Sequence, residues 1–146
     1  MNNELVNLMR NSSQVIQKMA IELDRHLTEK GCYSYVKTIY VGYEIGGNMV
    51  AALYPHANHI EVALALPENA DHVLLSDAGH LTWRTMPVLA TITSSTQFSE
   101  ILSLVDFSIT RVVDGSHVVL RDNDFFIKHK IERRANRSAV PRRSKS

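Results

Sequence analysis

The chain has 146 residues, of which 45% are hydrophobic and 7% are aromatic. This is the size and composition of one globular domain, and it excludes a wholly disordered chain. The longest uncharged apolar runs, such as Val62–Leu66, are too short to cross a bilayer, and no signal-peptide pattern opens the chain. We therefore expect a cytoplasmic protein with no membrane partner and no cofactor. The single cysteine, Cys32, excludes an intramolecular disulfide and fits a reducing compartment.

The formal net charge of +1 conceals a strong asymmetry. Residues 128–146 hold eight of the 16 basic residues and one of the 15 acidic residues, so they carry +7 while residues 1–127 carry −6. Such a basic end is typical of proteins that contact polyanions, because each lysine or arginine near a phosphate displaces a counterion. The alternative is a solvated end that keeps the protein soluble or folds back on the acidic domain. The candidate nucleic-acid-binding residues are Arg133, Arg134, Arg137, Arg142, Arg143 and Lys145.

In chain order, residues 2–30 come first, and their apolar residues recur at spacings of three and four. This spacing predicts an amphipathic helix. Ser12 and Ser13 interrupt the apolar pattern, so we expect a break or a second N-cap near Asn11. Gly31 is the predicted end of the helix.

The period of hydrophobicity changes to two over residues 33–43, which predicts a β-rich run. Residues 46–48 (Gly-Gly-Asn) predict a hairpin turn, because these residue types accept positive φ angles at little cost. Met49–Tyr54 is the predicted returning strand, and residues 55–58 form the next turn. Regular alternation over His59–Leu66 predicts a third strand, so the three strands form an antiparallel meander.

The next part of the chain carries weaker signals. Glu68–Leu75 is predicted to form a short helical turn, residues 76–80 a loop and Pro87–Thr93 a strand. A second amphipathic helix, capped by Ser94 or Ser95, is predicted over residues 95–113. Beyond it we expect a short strand over residues 117–121 and a terminal helix that begins near residues 125–127.

These elements predict an α+β fold. Its antiparallel sheet has about four strands, with an N-terminal helix and a later amphipathic helix packed on one face. We expect residues 1–127 to form a single domain and residues 128–146 to form a basic C-terminal segment. Disorder is expected from about residue 134, because the sequence beyond it offers no apolar pair to bury.

Several short motifs between residues 35 and 113 carry a resemblance to known families. They are Tyr40-x-x-Tyr43, a Gly-Gly hairpin, the strand Val50–Leu53, a strand ending at Pro67, and Gly79-His80 ahead of Val88–Ile92 and the Phe98 helix. The chain resembles a small bacterial family of unknown function that often sits at the C-terminus of predicted nucleases and predicted transport proteins. It is more remotely similar to the double-wing (MmcQ/YjbR-type) family of proposed DNA-binding proteins. The resemblance implies a helix, an antiparallel sheet and a closing helix, and it supplies no catalytic residues.

Histidines provide the first candidate for chemistry. His56-x-x-His59 with nearby Glu61 has the residue types of a metal site. The two histidines are expected in a turn and at the start of a strand, however, and not one helical turn apart. No third ligand follows at a useful spacing, so we expect exposed turn histidines and no bound metal.

A second candidate is the group formed by Asp77, His80, Trp83 and Arg84. His80 could act as a general base oriented by Asp77, around a small-molecule site. No nucleophile is identified by a motif, and the alternative is that His80 holds its loop through hydrogen bonds to backbone carbonyls. No catalytic residue is therefore predicted.

Aromatic side chains are the third candidate, since all five tyrosines fall on the first hairpin. With Lys37 and Trp83 they could form a surface on which bases stack. The alternative is ordinary packing, because tyrosine suits a half-buried pleated surface. The candidate ligand-binding residues are Tyr40, Tyr43, His80, Trp83 and Arg84.

The sequence thus favours a non-enzymatic binding module that engages nucleic acid, or a protein partner of a nucleic-acid system, through its basic end. One alternative is a protein-interaction or homo-oligomerising domain that pairs through an exposed sheet edge or the N-terminal helix. Another is a small-molecule-binding domain or minor enzyme built on the group around Asp77 and His80.

Overall fold

The computed structural model describes residues 3–81, 83 and 86–116. The predicted break in the N-terminal helix is present, and Ser13 caps the second helix by accepting a hydrogen bond from the Ile16 amide. The chain leaves that helix through Gly31 at φ 101°, a backbone conformation that glycine adopts at low cost. The α-helices of the described residues are α1 (Asn3–Leu8), α2 (Gln14–Glu29) and α3 (Phe98–Val113).

The sheet has six strands in the order β1-β2-β3-β4-β6-β5, and every neighbouring pair is antiparallel. The α+β class with an antiparallel sheet is confirmed, whereas the prediction of about four strands is wrong. The strands are β1 (Tyr33–Val36), β2 (Val41–Ile45), β3 (Asn48–Pro55), β4 (Ile60–Leu64), β5 (Leu75–Asp77) and β6 (Val88–Ile92).

The two additional strands arise where the sequence lacks a turn or strand signal. The run over residues 33–43 is two strands, joined by a turn in which the Lys37 amide donates to the Tyr40 carbonyl at 2.8 Å. That turn contains neither glycine nor proline. The other addition, β5, has only three residues and lies partly in the predicted loop. The predicted helical turn over Glu68–Leu75 is instead two hydrogen-bonded turns followed by the first residue of β5.

Helices α2 and α3 contact each other, and both contact β3, so we call this side of the sheet the helix face. The Tyr43 hydroxyl of β2 donates to the Asp24 carboxylate of α2 at 2.8 Å. His26 of α2 lies 2.7 Å from a carboxylate oxygen of Asp106 in α3. Strand pairing places the following buried side chains on the helix face with Tyr43: Val41, Ala51, Leu53, Ile60, Val62 and Leu64.

A side chain of α3 forms hydrogen bonds to the sheet at a β-bulge. The register between β2 and β3 shifts after Tyr43, so Val50 has no residue opposite it. Its carbonyl accepts a hydrogen bond from the Ser108 hydroxyl of α3 at 2.7 Å. The same hydroxyl accepts from the Ala65 amide at 3.0 Å, and Ser108 is fully buried. One serine therefore satisfies backbone groups from two segments of the sheet region.

The opposite side of the sheet, which we call the second face, holds the candidate site. Alternation and pairing place Tyr35, Gly42, Ala52, Tyr54 and Glu61 on it. A Cβ atom at Gly42 would lie 2.2 Å from Cζ of Tyr35. Glycine at this position therefore lets the Tyr35 ring lie across β2.

Three predicted features lie outside the described residues: the strand over residues 117–121, the terminal helix from residues 125–127 and the basic segment. Within the described ranges, no helix has the length and apolar character needed to cross a membrane.

Candidate functional site

An aromatic cluster occupies part of the second face. The Trp83 indole N–H donates to the Tyr54 hydroxyl at 2.7 Å, and the Tyr40 ring centroid lies 5.2 Å from that of Tyr54 and 5.5 Å from that of Trp83. These three residues are only 5–6% exposed. The rings therefore pack against one another, as the packing interpretation of the tyrosines requires.

The predicted ligand-binding residues do not all meet. Tyr40 and Trp83 are in the aromatic cluster, whereas Tyr43 lies on the helix face against Asp24. Burial, with the neighbouring Asp24 charge and hydrogen bond, holds the pKa of Tyr43 well above its usual range. His80 lies on a short 3₁₀ helix, and Arg84 is outside the described residues. The six candidate nucleic-acid-binding residues, which begin at residue 133, are also outside them.

A group of histidines surrounds one carboxylate at the other part of the second face. His56 Nε2 lies 3.1 Å from Oε1 of Glu61, and His80 Nε2 lies 3.1 Å from its Oε2. The rings of His56 and His59 stack with centroids 4.3 Å apart and planes 8° from parallel. One ligand atom each from His56, His59 and Glu61 fall within 4.8 Å of one another. We call these four residues the histidine cluster.

The β3–β4 turn that carries His56 and His59 is held at several points. The His56 amide donates to the His59 carbonyl at 2.9 Å, which closes the turn. From the α1–α2 connection, the Ser12 hydroxyl donates to the His56 carbonyl at 2.7 Å. The Ser13 amide donates to the Ala57 carbonyl at 2.8 Å. The break in the N-terminal helix thus braces the turn that presents two of the histidines.

Glu61 is fixed in a central strand, where it lies opposite Tyr54 of β3 and Thr91 of β6. Its side chain is 16% exposed, whereas the side chains of His56 and His80 are 43% and 56% exposed. The carboxylate is therefore mostly enclosed, and the imidazoles reach solvent. Within the described residues, both side-chain hydrogen-bond partners of this carboxylate are histidines.

Asp77 positions the backbone that carries His80. Its carboxylate accepts a hydrogen bond from the Gly79 amide at 2.9 Å, at the start of the 3₁₀ helix Gly79–Leu81. The acid that the His80 ring contacts is Glu61, which lies 19 positions earlier in the chain. Sequence spacing gave no signal for this contact, because it depends on the path through β5.

An open groove of about 670 Å³ lies elsewhere, between α1 and the β1–β2 turn. Its charged lining residues are Glu4, Arg10 and Lys37, and the described residues that line it include neither histidine nor cysteine. The groove therefore does not share the chemistry of the histidine cluster.

Comparisons of the chain with protein-family models, with curated proteins and with solved structures find no match. The resemblance to the double-wing family stays a prediction.

Proposed function

We propose that this protein is a non-enzymatic binding module whose basic C-terminal segment contacts nucleic acid. The observation that carries the proposal is the separation of charge along the chain. The described residues contain six lysines and arginines and twelve acidic residues, whereas residues 128–146 contain eight and one. A phosphate backbone is repelled by the first set and attracted by the second.

Several lysines and arginines of the described residues already have partners within the domain, which favours the C-terminal segment as the phosphate-binding part. Arg25 pairs with Glu22 on α2. The Arg111 side chain donates to the Ala65 carbonyl at 3.3 Å, and the Lys37 ammonium lies 5.7 Å from the Tyr35 ring centroid. Three of these six cations thus already interact within the domain, so the segment is the better phosphate ligand.

The aromatic cluster supports a binding mode that is independent of base sequence. Base-stacking proteins present exposed ring faces, whereas Tyr40, Tyr54 and Trp83 are buried against one another. Contacts from arginine and lysine to phosphates position a protein on nucleic acid but carry no sequence information directly. We therefore expect similar affinities for duplexes of different sequence.

The test is a salt titration of DNA affinity by fluorescence anisotropy, with a labelled duplex and the full chain. Substituting glutamine at Arg142, Arg143 and Lys145 should weaken binding and reduce the slope of log affinity against log salt by about 2.7, since each phosphate contact contributes about 0.9. The matched control substitutes glutamine at three exposed domain cations, and it should leave the slope unchanged. An equal response of both variants would contradict the proposal. The control positions are Arg10, Lys18 and Lys30.

A second candidate function is self-association through the edge of the sheet. Strand β1 is an outer strand of the sheet that the described residues form, and Tyr33 in it is 66% exposed. An outer strand offers unpaired backbone groups to a second chain. Sedimentation velocity across a concentration series should then show a dimer that Tyr33→Lys weakens. A chain that stays monomeric at the highest concentration would remove this candidate.

A further inference from the structure

We propose that His56, His59, Glu61 and His80 form a binding site for a divalent transition-metal ion, for which zinc is the test ion. The histidine cluster brings three imidazoles and one carboxylate together from three places in the chain: the β3–β4 turn, strand β4 and the 3₁₀ helix. Imidazole nitrogen and carboxylate oxygen are the ligands that zinc binds in tetrahedral sites.

One ligand atom each from His56, His59 and Glu61 lie within 4.8 Å of one another, and His80 contacts the second oxygen of Glu61. Zinc lies about 2.0–2.1 Å from its nitrogen and oxygen ligands, so two ligand atoms of a tetrahedral site are about 3.3 Å apart. The Nε2 atoms of His56 and His80 each lie 3.1 Å from an oxygen of Glu61. Coordination around one ion would draw the ligand atoms of His56, His59 and Glu61 together from within 4.8 Å, and it would turn the His80 ring from Oε2 of Glu61 towards them.

The site is held in place before any ion binds. Ser12 and Ser13 hold the β3–β4 turn, and Asp77 holds the start of the 3₁₀ helix. Glu61 is fixed by pairing on both sides of β4. A site whose ligands are already positioned loses less conformational entropy on binding. The exposed imidazoles leave a path for the ion from solvent.

The ligand types select the class of ion. Magnesium and calcium favour sites made of oxygen atoms, whereas imidazole suits zinc, copper, nickel and iron. Imidazole binds a metal ion in its neutral form, and a carboxylate ligand supplies negative charge that partly balances a divalent cation. Cys32 is buried near Tyr43 on the helix face, so thiolate does not belong to this ligand set.

An ion at this position would join two segments that are far apart in sequence. His56 and His59 precede β4, while His80 follows β5. Binding of an ion to the folded chain alone stabilises it by mass action. We therefore expect zinc to raise the melting temperature of the full chain, and to do so less when a ligand is replaced.

The experiment is isothermal titration calorimetry of the full chain with zinc chloride. Glu61→Gln and His80→Asn should each weaken zinc affinity at least about tenfold, because even outer-shell partners of metal sites contribute about 10–100-fold. His72→Asn is the matched control. His72 lies outside the cluster and accepts the Leu74 amide through Nδ1, a role that asparagine can retain. This control should bind zinc as the parent chain does.

Glu61→Gln could lower stability, and His59→Asn then provides an independent test. In the described part of the chain, the side-chain hydrogen bonds of Glu61 go to His56 and His80. His59→Asn should weaken zinc affinity and alter the visible absorption spectrum of bound cobalt, which reports the ligands of the ion directly. Two results would overturn the proposal. One is a parent chain that does not bind zinc, and the other is an affinity that all three cluster variants leave unchanged.

Discussion

The two faces of the sheet use the same strands for different purposes. On the helix face, Val62 of β4 is fully buried with the apolar residues that α2 and α3 cover. One position earlier, Glu61 points to the second face and contacts two histidines. Because side chains alternate along a strand, adjacent residues can serve stability and binding separately. The candidate chemistry of this domain therefore lies on the face opposite α2 and α3.

The largest expected effect lies on the helix face. Leu53 of β3 is fully buried there, so Leu53→Ala should lower the free energy of unfolding by about 2–5 kcal/mol through lost burial and a cavity. Urea denaturation measures the change. Zinc affinity of the variant under conditions where it remains folded should match that of the parent chain. A joint loss of zinc affinity in the folded variant would break the separation of the two faces.

Alkaline pH gives a second probe of the helix face. Burial raises the pKa of the Cys32 thiol from 9.0 to about 11. Between these values the unfolded chain has lost the thiol proton while the folded chain retains it, so stability falls as pH rises. The full loss is about 2–3 kcal/mol, at about 1.4 kcal/mol for each pH unit of the shift.

Cys32→Ala should remove the decrease in the free energy of unfolding that the thiol causes at alkaline pH. Denaturation midpoints at pH 8 and pH 11 measure this change. The change attributable to Tyr43 persists in the variant, because the pKa of that buried phenol is also raised. Parallel pH profiles for the variant and the parent chain would show that the thiol is not buried as described.

Ser108→Ala tests the contact between α3 and the bulge. The substitution removes the hydroxyl that serves the Val50 carbonyl and the Ala65 amide in a fully buried position. Loss of these two hydrogen bonds to the Val50 carbonyl and the Ala65 amide should lower the free energy of unfolding by about 1–3 kcal/mol. Amide hydrogen exchange at Ala65 should become faster, and an unchanged exchange rate would argue against this hydrogen bond.

The smallest expected effect on stability lies on the second face. Glu61→Gln should change the free energy of unfolding by less than about 1 kcal/mol, because its partners are solvent-exposed histidines. Denaturation in the presence of a chelator measures this without a contribution from metal. A loss as large as that of Leu53→Ala would mean that Glu61 serves the fold and would remove the contrast between the faces.

Local sequence signals predicted the elements that depend on local chemistry. Ser13 caps α2, and Gly46 and Gly47 form the predicted hairpin turn with φ angles of 59° and 83°. Ser94, one of the two predicted cap residues, forms a capping box immediately before α3. These features need only a few neighbouring residues, so the sequence displays them directly.

The features that the sequence did not reveal depend on contacts between distant segments. Strand β5 is too short to show a period, and it is defined by its pairing with β6. That pairing brings the following 3₁₀ helix, and with it His80, towards Glu61. The spacing of His56 and His59 was visible, but their third histidine was not, because β4 and the β5 segment lie between them.

The most direct test of the contrast between the two faces is anomalous X-ray diffraction at the zinc absorption edge, from a crystal of the full chain grown with zinc. We expect a peak on the second face, within about 2.0–2.2 Å of Oε1 or Oε2 of Glu61 and of imidazole nitrogens of the cluster. A refined structure with no anomalous peak between His56, Glu61 and His80 would contradict this prediction.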